Sequence, residues 1–158
     1  MGVNNKMKIL ALDLSTKTGW ATNTLDRVSG TIEFKLKRGE SPGMRFLRCR
    51  AWLNEIWRLV GGRIDVLCYE QAHHRGGAAT AVCVGLVTVA QAFAAENNIE
   101  LMPVHTATLK KFATGSGRAN KNDMIKSAID RGWEPKDDNE ADAQLLFDYA
   151  LSELEGDS

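Results

Sequence analysis

Two short apolar runs, each containing or followed by an acidic residue, constrain the fold more than any other feature of the sequence. Residues 8–14 (KILALDL) contain Asp13, and residues 64–69 (IDVLCY) are followed directly by Glu70. Apolar runs without polar alternation are typical of central strands, which are covered on both faces. A sheet covered on both faces needs helices on either side, so the sequence predicts an α/β sandwich.

The rest of the pattern predicts three consecutive strands and then alternating helices and strands. The predicted elements after the first run and the turn-like residues 15–19 are strands at 20–22 and 28–35, a helix at 44–59, the strand at 64–69, a long Ala-rich helix at 78–95, a strand at Glu100–Val104, and two further helices, the last from near Asp137 to about Leu154. This order predicts a mixed five-stranded sheet, antiparallel over its first three strands and parallel afterwards, flanked by helices.

Length and composition fit one soluble globular domain. The chain has 158 residues, of which 44% are hydrophobic and 25% charged, and this composition excludes a disordered or fibrous protein. We expect a single domain over residues 1–158, with flexible ends at 1–7 and 155–158. The three cysteines form no CxxC pair and the polar start has no apolar signal region, so a cytoplasmic location is expected.

The charges sum to zero, but they are unevenly distributed. Residues 134–158 carry nine acids and one base, which leaves nineteen bases and eleven acids in residues 1–133. The zero sum argues against uniform electrostatic capture of nucleic acid, whereas the uneven distribution is compatible with a local basic surface. Residues 78–95 carry no charge, and because they are rich in small residues we interpret them as a helix buried on most sides, beneath the sheet or in a subunit interface, and not as a membrane span.

Three acids are predicted to point inward. Asp13 and Glu70 end buried strands, and Asp142 lies on the apolar stripe of the last helix. A buried carboxylate is costly unless it is neutralised, paired or bound to a cation. Hard divalent cations such as Mg²⁺ prefer oxygen ligands, and two such ions about 3.5–4 Å apart can clamp the attacking and leaving oxygens of a phosphodiester.

A fourth ligand would have to share the helical face of Asp142. Both Asn139, three residues before it, and Asp138, four residues before it, meet this condition. Charge favours the carboxylate of Asp138 over the amide oxygen of Asn139, but spacing does not separate them. The other interpretation of this acidic run is a helix start whose acids complement the macrodipole.

A basic strip surrounds a glycine-containing loop in residues 106–127. Asn120 is a good N-cap with Asp123 at the capping-box position, so backbone amides of a helix N-terminus face the GSG loop at residues 115–117. The bases of this strip are Lys110, Lys111, Arg118, Lys121 and Lys126. A basic strip beside an acidic metal site suits cleavage of a polyanion, although a solvated loop with flanking lysines has the same composition.

Four segments, in this order and at these spacings, together resemble the RuvC family of Holliday junction resolvases. They are LALDLSTKTGWA around Asp13, VLCYEQ around Glu70, the pair Lys110 and Lys121 on either side of the GSG loop, and DDNEADA near the end. The resemblance covers residues 8–154, nearly the whole chain. The ending DDNEADA is similar to the phage or prophage-borne branch of the family.

The resemblance implies an RNase H-like fold, a homodimer with two active sites, and cleavage of four-way DNA junctions that depends on Mg²⁺, or on Mn²⁺ as a substitute, with two ions per site. The expected products have 5′-phosphate and 3′-hydroxyl ends. It also implies that Asp13, Glu70 and Asp142 are metal ligands, that Lys121 lies beside the scissile phosphate, and that Lys110 contacts DNA. No small-molecule cofactor and no membrane are expected.

Two positions depart from the family pattern. Asn139 stands where the family has an acidic or histidine ligand, so either Asn139 binds metal weakly or Asp138 has taken this role. His73 stands where bacterial relatives place an aromatic residue, and we expect it to contact DNA together with His74 and Arg75. Two alternatives remain: another RNase H-like nuclease, acting on RNA/DNA hybrids or precursor ribosomal RNA, and a non-catalytic protein that binds branched DNA.

Overall fold

A mixed five-stranded sheet lies at the centre of the molecule. The structure is a computed structural model that describes residues 6–71 and 76–156. The strands are β1 (Ile9–Asp13), β2 (Lys17–Thr22), β3 (Val28–Glu33), β4 (Val66–Glu70) and β5 (Glu100–Val104), in the order β3-β2-β1-β4-β5 across the sheet. The pairs β1–β2 and β2–β3 are antiparallel, whereas β1–β4 and β4–β5 are parallel. The predicted fold class is therefore confirmed.

Helices cover both faces of this sheet. In the described ranges they are α1 (Gly43–Leu59), α2 (Ala78–Glu96), α3 (Thr106–Thr114), α4 (Lys121–Asp130) and α5 (Asp138–Gly156). On one face α5 packs against the first three strands and against α3 and α4, and on the other face α1 packs against α2. The last element of the chain is thus one of the main covers of the sheet.

Alternation along β1 divides the core into two clusters. Ile9 and Ala11 pack with residues of α4 and α5, whereas Leu10 and Leu12 pack with residues of α1 and α2. All four are fully buried. Because successive side chains of a strand point to opposite faces, both faces of a central strand must be apolar, and this explains the uninterrupted apolar run in the sequence.

Several strand boundaries differ from the predicted ones, among them those of β2 and β3. β2 begins at Lys17, inside the segment predicted as a turn, and β3 ends at Glu33 and not at residue 35. Thr18 and Gly19 pair with Ile32 and Thr31 of β3, so the turn after β1 is shorter than the Ser- and Gly-containing sequence indicates. Lys17 and Thr18 pair with β3 alone and Gly19 pairs with both β1 and β3, so pairing with neighbouring strands outweighs the turn preference of these residues.

The long charge-free helix α2 is less buried than predicted. Its buried side chains are Leu86, Ala90, Phe93 and Ala94, whereas Val84 is 39% exposed. Among the described helices, α2 alone is long and apolar enough to span a membrane, judged by length and composition. The mean hydropathy of its 18-residue apolar stretch is 1.8, and 22% of that stretch is buried. Burial on most sides is therefore not met within a single chain, because α2 packs against α1 and the sheet on one side and leaves an apolar face exposed; burial in a subunit interface stays a prediction.

Candidate metal centre

The strand ends place two acids on the same face of the sheet. Asp13 follows Ile9 and Ala11 at alternate positions of β1, and Glu70 follows Cys68 at the alternate position of β4. Ile9, Ala11 and Cys68 all belong to the cluster beneath α5. Since β1 and β4 are parallel neighbours, Asp13 and Glu70 meet at the carboxyl-terminal ends of these strands, under the helix that carries Asp142.

Asp13, Glu70 and Asp142 form a three-carboxylate cluster. One carboxylate oxygen from each lies within 4.8 Å of the others. Two oxygens on opposite sides of a Mg²⁺ ion are about 4 Å apart, because Mg–O bonds are about 2.0–2.1 Å long. The three side chains therefore need only a small movement to share one divalent cation, and the oxygen donors suit a hard cation.

The electrostatics of this cluster are unfavourable without a cation. Burial, and then the charges of Asp142 and Glu70, raise the pKa of Asp13 well above its usual value. Burial, Glu70 and Asp138 raise the pKa of Asp142 to about 7, although Lys110 and Lys121 lower it. Like charges in a poorly solvated site favour protons or a bound cation over three free carboxylates.

Neighbouring side chains support this arrangement. The Thr106 hydroxyl at the start of α3 donates a hydrogen bond to Glu70 Oε1, so among the described residues the hydrogen-bond partner of Glu70 is a hydroxyl and not a cation. The turn after β1 is closed by its own side chains, since Thr18 Oγ1 donates to the Ser15 carbonyl at 2.7 Å. Within the described ranges, no hydrogen bond occupies the Asp13 carboxylate, so its oxygens stay available.

The start of α5 brings Asp138 towards the three acids. Asp138 contributes to the raised pKa of both Asp13 and Asp142, and its Oδ2 lies 3.5 Å from Lys121 Nζ. It also lines a cavity of about 170 Å³ with Glu70 and Asp142. Asn139 is not among the residues lining this cavity; its backbone carbonyl faces β2.

The same cavity contains two of the predicted basic residues. Lys110 and Lys121 line it, together with Thr106 and Asn120. The predicted capping box is present: Asn120 Oδ1 accepts from the Asp123 amide at 2.9 Å, and Asp123 Oδ2 accepts from the Asn120 amide at 3.0 Å. Because this box starts α4 at Lys121, it fixes the point from which the lysine side chain leaves the backbone.

Comparisons with known proteins found a likeness in structure only. No family model matches the sequence, and no curated protein matches it. The structure is similar to Thermus thermophilus RuvC in complex with a Holliday junction substrate, with a TM-score of 0.76, 17% identity, and coverage of 95% of this chain and 96% of that one. The fold is RuvC-like.

Two other solved structures support this result. Another structure of Thermus thermophilus RuvC matches with a TM-score of 0.71 and 17% identity, covering 95% of this chain and 97% of that one. A Cas12f1 complex with guide RNA and target DNA matches with a TM-score of 0.52 and 12% identity, covering 92% of this chain but 39% of that one. The RuvC-like fold therefore accounts for almost the whole chain.

A main-chain contact and an ion pair hold α5 against β2 in this RuvC-like fold. A Cβ atom on Gly19 would lie 1.9 Å from the Asn139 carbonyl oxygen, so only glycine permits this approach. Lys17 Nζ lies 2.6 Å from Asp137 Oδ2. Burial raises the pKa of Asp137, but the Lys17 hydrogen bond and the Glu140 amide outweigh it, so the pKa of Asp137 is lowered overall.

Glu140 anchors α5 to the edge strand β3. This side chain is 3% exposed; its Oε2 accepts from Ser29 Oγ at 2.7 Å, and its Oε1 accepts from the Lys136 amide at 3.0 Å. Gln144 Nε2 donates to the same Ser29 oxygen at 2.9 Å. Asp137 and Glu140 thus both anchor α5, a role which an acidic run in the sequence does not reveal.

The other candidate DNA-binding residues lie on the surface away from the cavity or outside the described ranges. Lys111 and Arg118 are exposed on α3 and on the loop that follows it. His73, His74 and Arg75 fall outside the described residues.

The three cysteines differ in burial. Cys49 and Cys68 are buried, and burial raises the pKa of each thiol to about 12. The half-buried Cys83 lines a second cavity beside Asp13 and Glu70.

Proposed function

We propose that this protein is a divalent-metal-dependent endonuclease that resolves four-way DNA junctions. The observation that carries the proposal is the convergence of Asp13, Glu70 and Asp142, within 4.8 Å of one another, beside a cavity lined by Lys110 and Lys121. The RuvC-like fold supports it, because the solved structure with the higher TM-score holds a Holliday junction substrate. Hydrolysis would leave 5′-phosphate and 3′-hydroxyl ends.

The carboxylates fit Mg²⁺, and Mn²⁺ as a substitute. Asp13, Glu70 and Asp142 are the proposed ligands, with Asp138 favoured over Asn139 for the fourth position because Asp138 lines the cavity. Two bound ions would supply an activated water and offset the charge that develops on the leaving oxygen. The carboxylates bind and orient the ions, and Thr106 orients the carboxylate of Glu70.

Basic side chains would hold the DNA backbone beside the carboxylates. Lys121 is 83% exposed, and its ammonium group lies 3.5 Å from Asp138 Oδ2, beside the proposed metal ligands. We assign it the role of offsetting charge on the scissile phosphate during cleavage. Further proposed DNA contacts, which supply affinity and position, are Lys110, Lys111, Arg118, His73, His74 and Arg75.

A homodimer in the cytoplasm completes the proposal. Two active sites related by a two-fold axis match the near-symmetry of a four-way junction. The exposed, uncharged face of α2, which includes Val84, is the candidate interface. Sedimentation equilibrium would test this part: we expect a dimer, and Val84→Glu should dissociate it, whereas Leu25→Glu, at an exposed site on the β2–β3 turn, should not.

The ending DDNEADA favours an origin in the phage or prophage-borne branch.

A Mg²⁺ titration with several substrates tests the function. We expect Mg²⁺-dependent, symmetric nicking of a four-way junction, with little cleavage of linear duplex. Preferential cleavage of an RNA/DNA hybrid or a precursor ribosomal RNA would favour a different RNase H-like nuclease. Junction binding without cleavage at any Mg²⁺ or Mn²⁺ concentration would show a non-catalytic binding protein.

A further inference from the structure

The segment that joins β3 to α1 carries a second group of basic residues. Residues 33–48 contain five basic and two acidic side chains. Both acids have partners inside the segment, since Glu33 pairs with Lys35 at 3.4 Å and Glu40 pairs with Arg48 at 2.5 Å. The segment therefore keeps a net positive charge of 5 − 2 = 3.

This segment leaves the sheet at the same end of the strands as the metal centre. In the β2–β3 register Lys17 pairs with Glu33, and the Phe34 amide donates to the Thr16 carbonyl at 3.0 Å. Residues 16 and 17 directly follow the turn after Asp13. Residues 35–38 therefore leave the sheet at the end where β1 and β4 also end and where the carboxylates converge.

The sheet order places this segment on the opposite side of the centre from the lysine-lined cavity. The cavity lies on the side of β4 and β5, because Glu70 and Thr106 line it. β3 lies at the other edge, two strands from β1, which corresponds to about 10 Å. This spacing spans about three nucleotides of one strand of B-form DNA.

Hydrogen bonds fix the backbone of the segment while its cationic tips remain exposed. Arg45 Nε donates to the Phe34 carbonyl at 3.1 Å, and Arg48 donates to the Lys35 carbonyl at 2.8 Å. The Lys37 amide donates to Glu40 at 2.5 Å. The side chains of Lys37 and Arg38 are exposed and make no ion pair with any described residue. The first turn of α1 carries no acid that would offset the positive end of its helix dipole.

We propose that Lys37 and Arg38 bind phosphates of the DNA on the β3 side of the metal centre, so that basic groups hold the substrate on both sides of the cleavage site. This inference rests on the proposed function for its substrate. Because the backbone is already ordered, binding requires ordering of the two side chains alone, which favours a persistent contact over a transient one.

The test is the salt dependence of binding to a four-way junction in a metal chelator, so that no strand is cut. The variant is Lys37→Gln with Arg38→Gln. The control is Lys6→Gln with Arg63→Gln, which removes the same charge from exposed residues at the opposite end of the sheet. Melting temperatures establish that both fold.

We expect the slope of log affinity against log salt to become shallower by about 1.8 in the variant, since each lost phosphate contact contributes about 0.9, and to be unchanged in the control. Lys37→Glu with Arg38→Glu should weaken binding further. Equal slopes in variant and control would overturn the inference even if the wild type cuts junctions with Mg²⁺. If the slope differs between wild type and variant as expected but the wild type cuts no substrate, the proposed function is overturned and this binding surface remains.

Discussion

Gly19 and Asn139 are in main-chain contact: a Cβ atom on Gly19 would lie 1.9 Å from the carbonyl oxygen of Asn139 and 2.5 Å from its carbonyl carbon. Gly19 pairs with Asp13 in the β1–β2 register, and Asn139 lies one turn before Asp142 on α5. This contact therefore sets how closely the helix that carries one carboxylate approaches the strand that carries another.

Gly19→Ala should displace α5 from the sheet and separate Asp13 from Asp142. We expect a loss of stability of about 1–3 kcal/mol, as for other overpacked sites, and a higher Mg²⁺ requirement for cleavage. Thermal unfolding and a Mg²⁺ titration measure the two effects. Gly156→Ala, where an added Cβ meets nothing within 4 Å, is the control. An unchanged Mg²⁺ requirement in Gly19→Ala would show that the contact does not position the carboxylates.

Asp13→Asn and Asp142→Asn should each abolish cleavage. Loss of a ligand carboxylate should lower the rate by more than about 100-fold, because even groups behind the ligands contribute about 10–100-fold. Junction binding should persist, since the phosphate-binding lysines are unchanged. Single-turnover cleavage and equilibrium binding measure the two properties, and Asp26→Asn on the exposed β2–β3 turn is the control. Normal cleavage by either site variant would contradict the metal centre.

The stability of the metal-free protein should fall with rising pH because of Asp142. Its pKa is raised to about 7 in the folded protein, against an unfolded value of about 3.9, so the folded state binds the extra proton between these values. Asp142→Asn removes this proton linkage. The variant should therefore melt several degrees above the wild type at pH 8, with the difference closing towards pH 4.

Calorimetry from pH 4 to pH 8 measures this difference, first in chelator and then with Mg²⁺. Added Mg²⁺ should stabilise the wild type more than Asp142→Asn, because the cation offsets the same repulsion that the proton relieves. Equal melting temperatures of wild type and variant at pH 8 in chelator would contradict the raised pKa of Asp142.

Asp138→Ala and Asn139→Ala distinguish the candidates for the fourth ligand. Asp138 lines the cavity with Glu70 and Asp142, so Asp138→Ala should raise the Mg²⁺ concentration needed for half-maximal cleavage by about 10-fold or more. Asn139→Ala keeps the backbone carbonyl that faces Gly19 and should change this concentration little. The reverse order of effects would assign the ligand to Asn139.

Periodicity in the sequence was sufficient to predict the sheet and the three inward acids. The uninterrupted apolar runs predict two central strands with an acid near the end of each, and the alternation of side chains along β1 and β4 then places Asp13 and Glu70 on one face. The capping box at Asn120 was equally clear, because it depends on residues three apart in the chain.

Contacts between distant residues could not be predicted in this way. The hydrogen bond from Thr106 to Glu70 and the bond from Ser29 to Glu140 join residues far apart in sequence, and neither has a local signature. The exposure of α2 was missed for a related reason, since an apolar helix in a sequence does not reveal whether its second face meets the same chain or another.

The position of α5 at the end of the fold has a consequence during synthesis. All five strands and the first four described helices precede it, yet it brings Asp142 to Asp13 and Glu70 and covers one side of β1, β2 and β3. A nascent chain still attached to the ribosome before residue 138 thus exposes apolar sheet surface and cannot assemble the cluster. Any activity that depends on this cluster is therefore withheld until translation has passed α5.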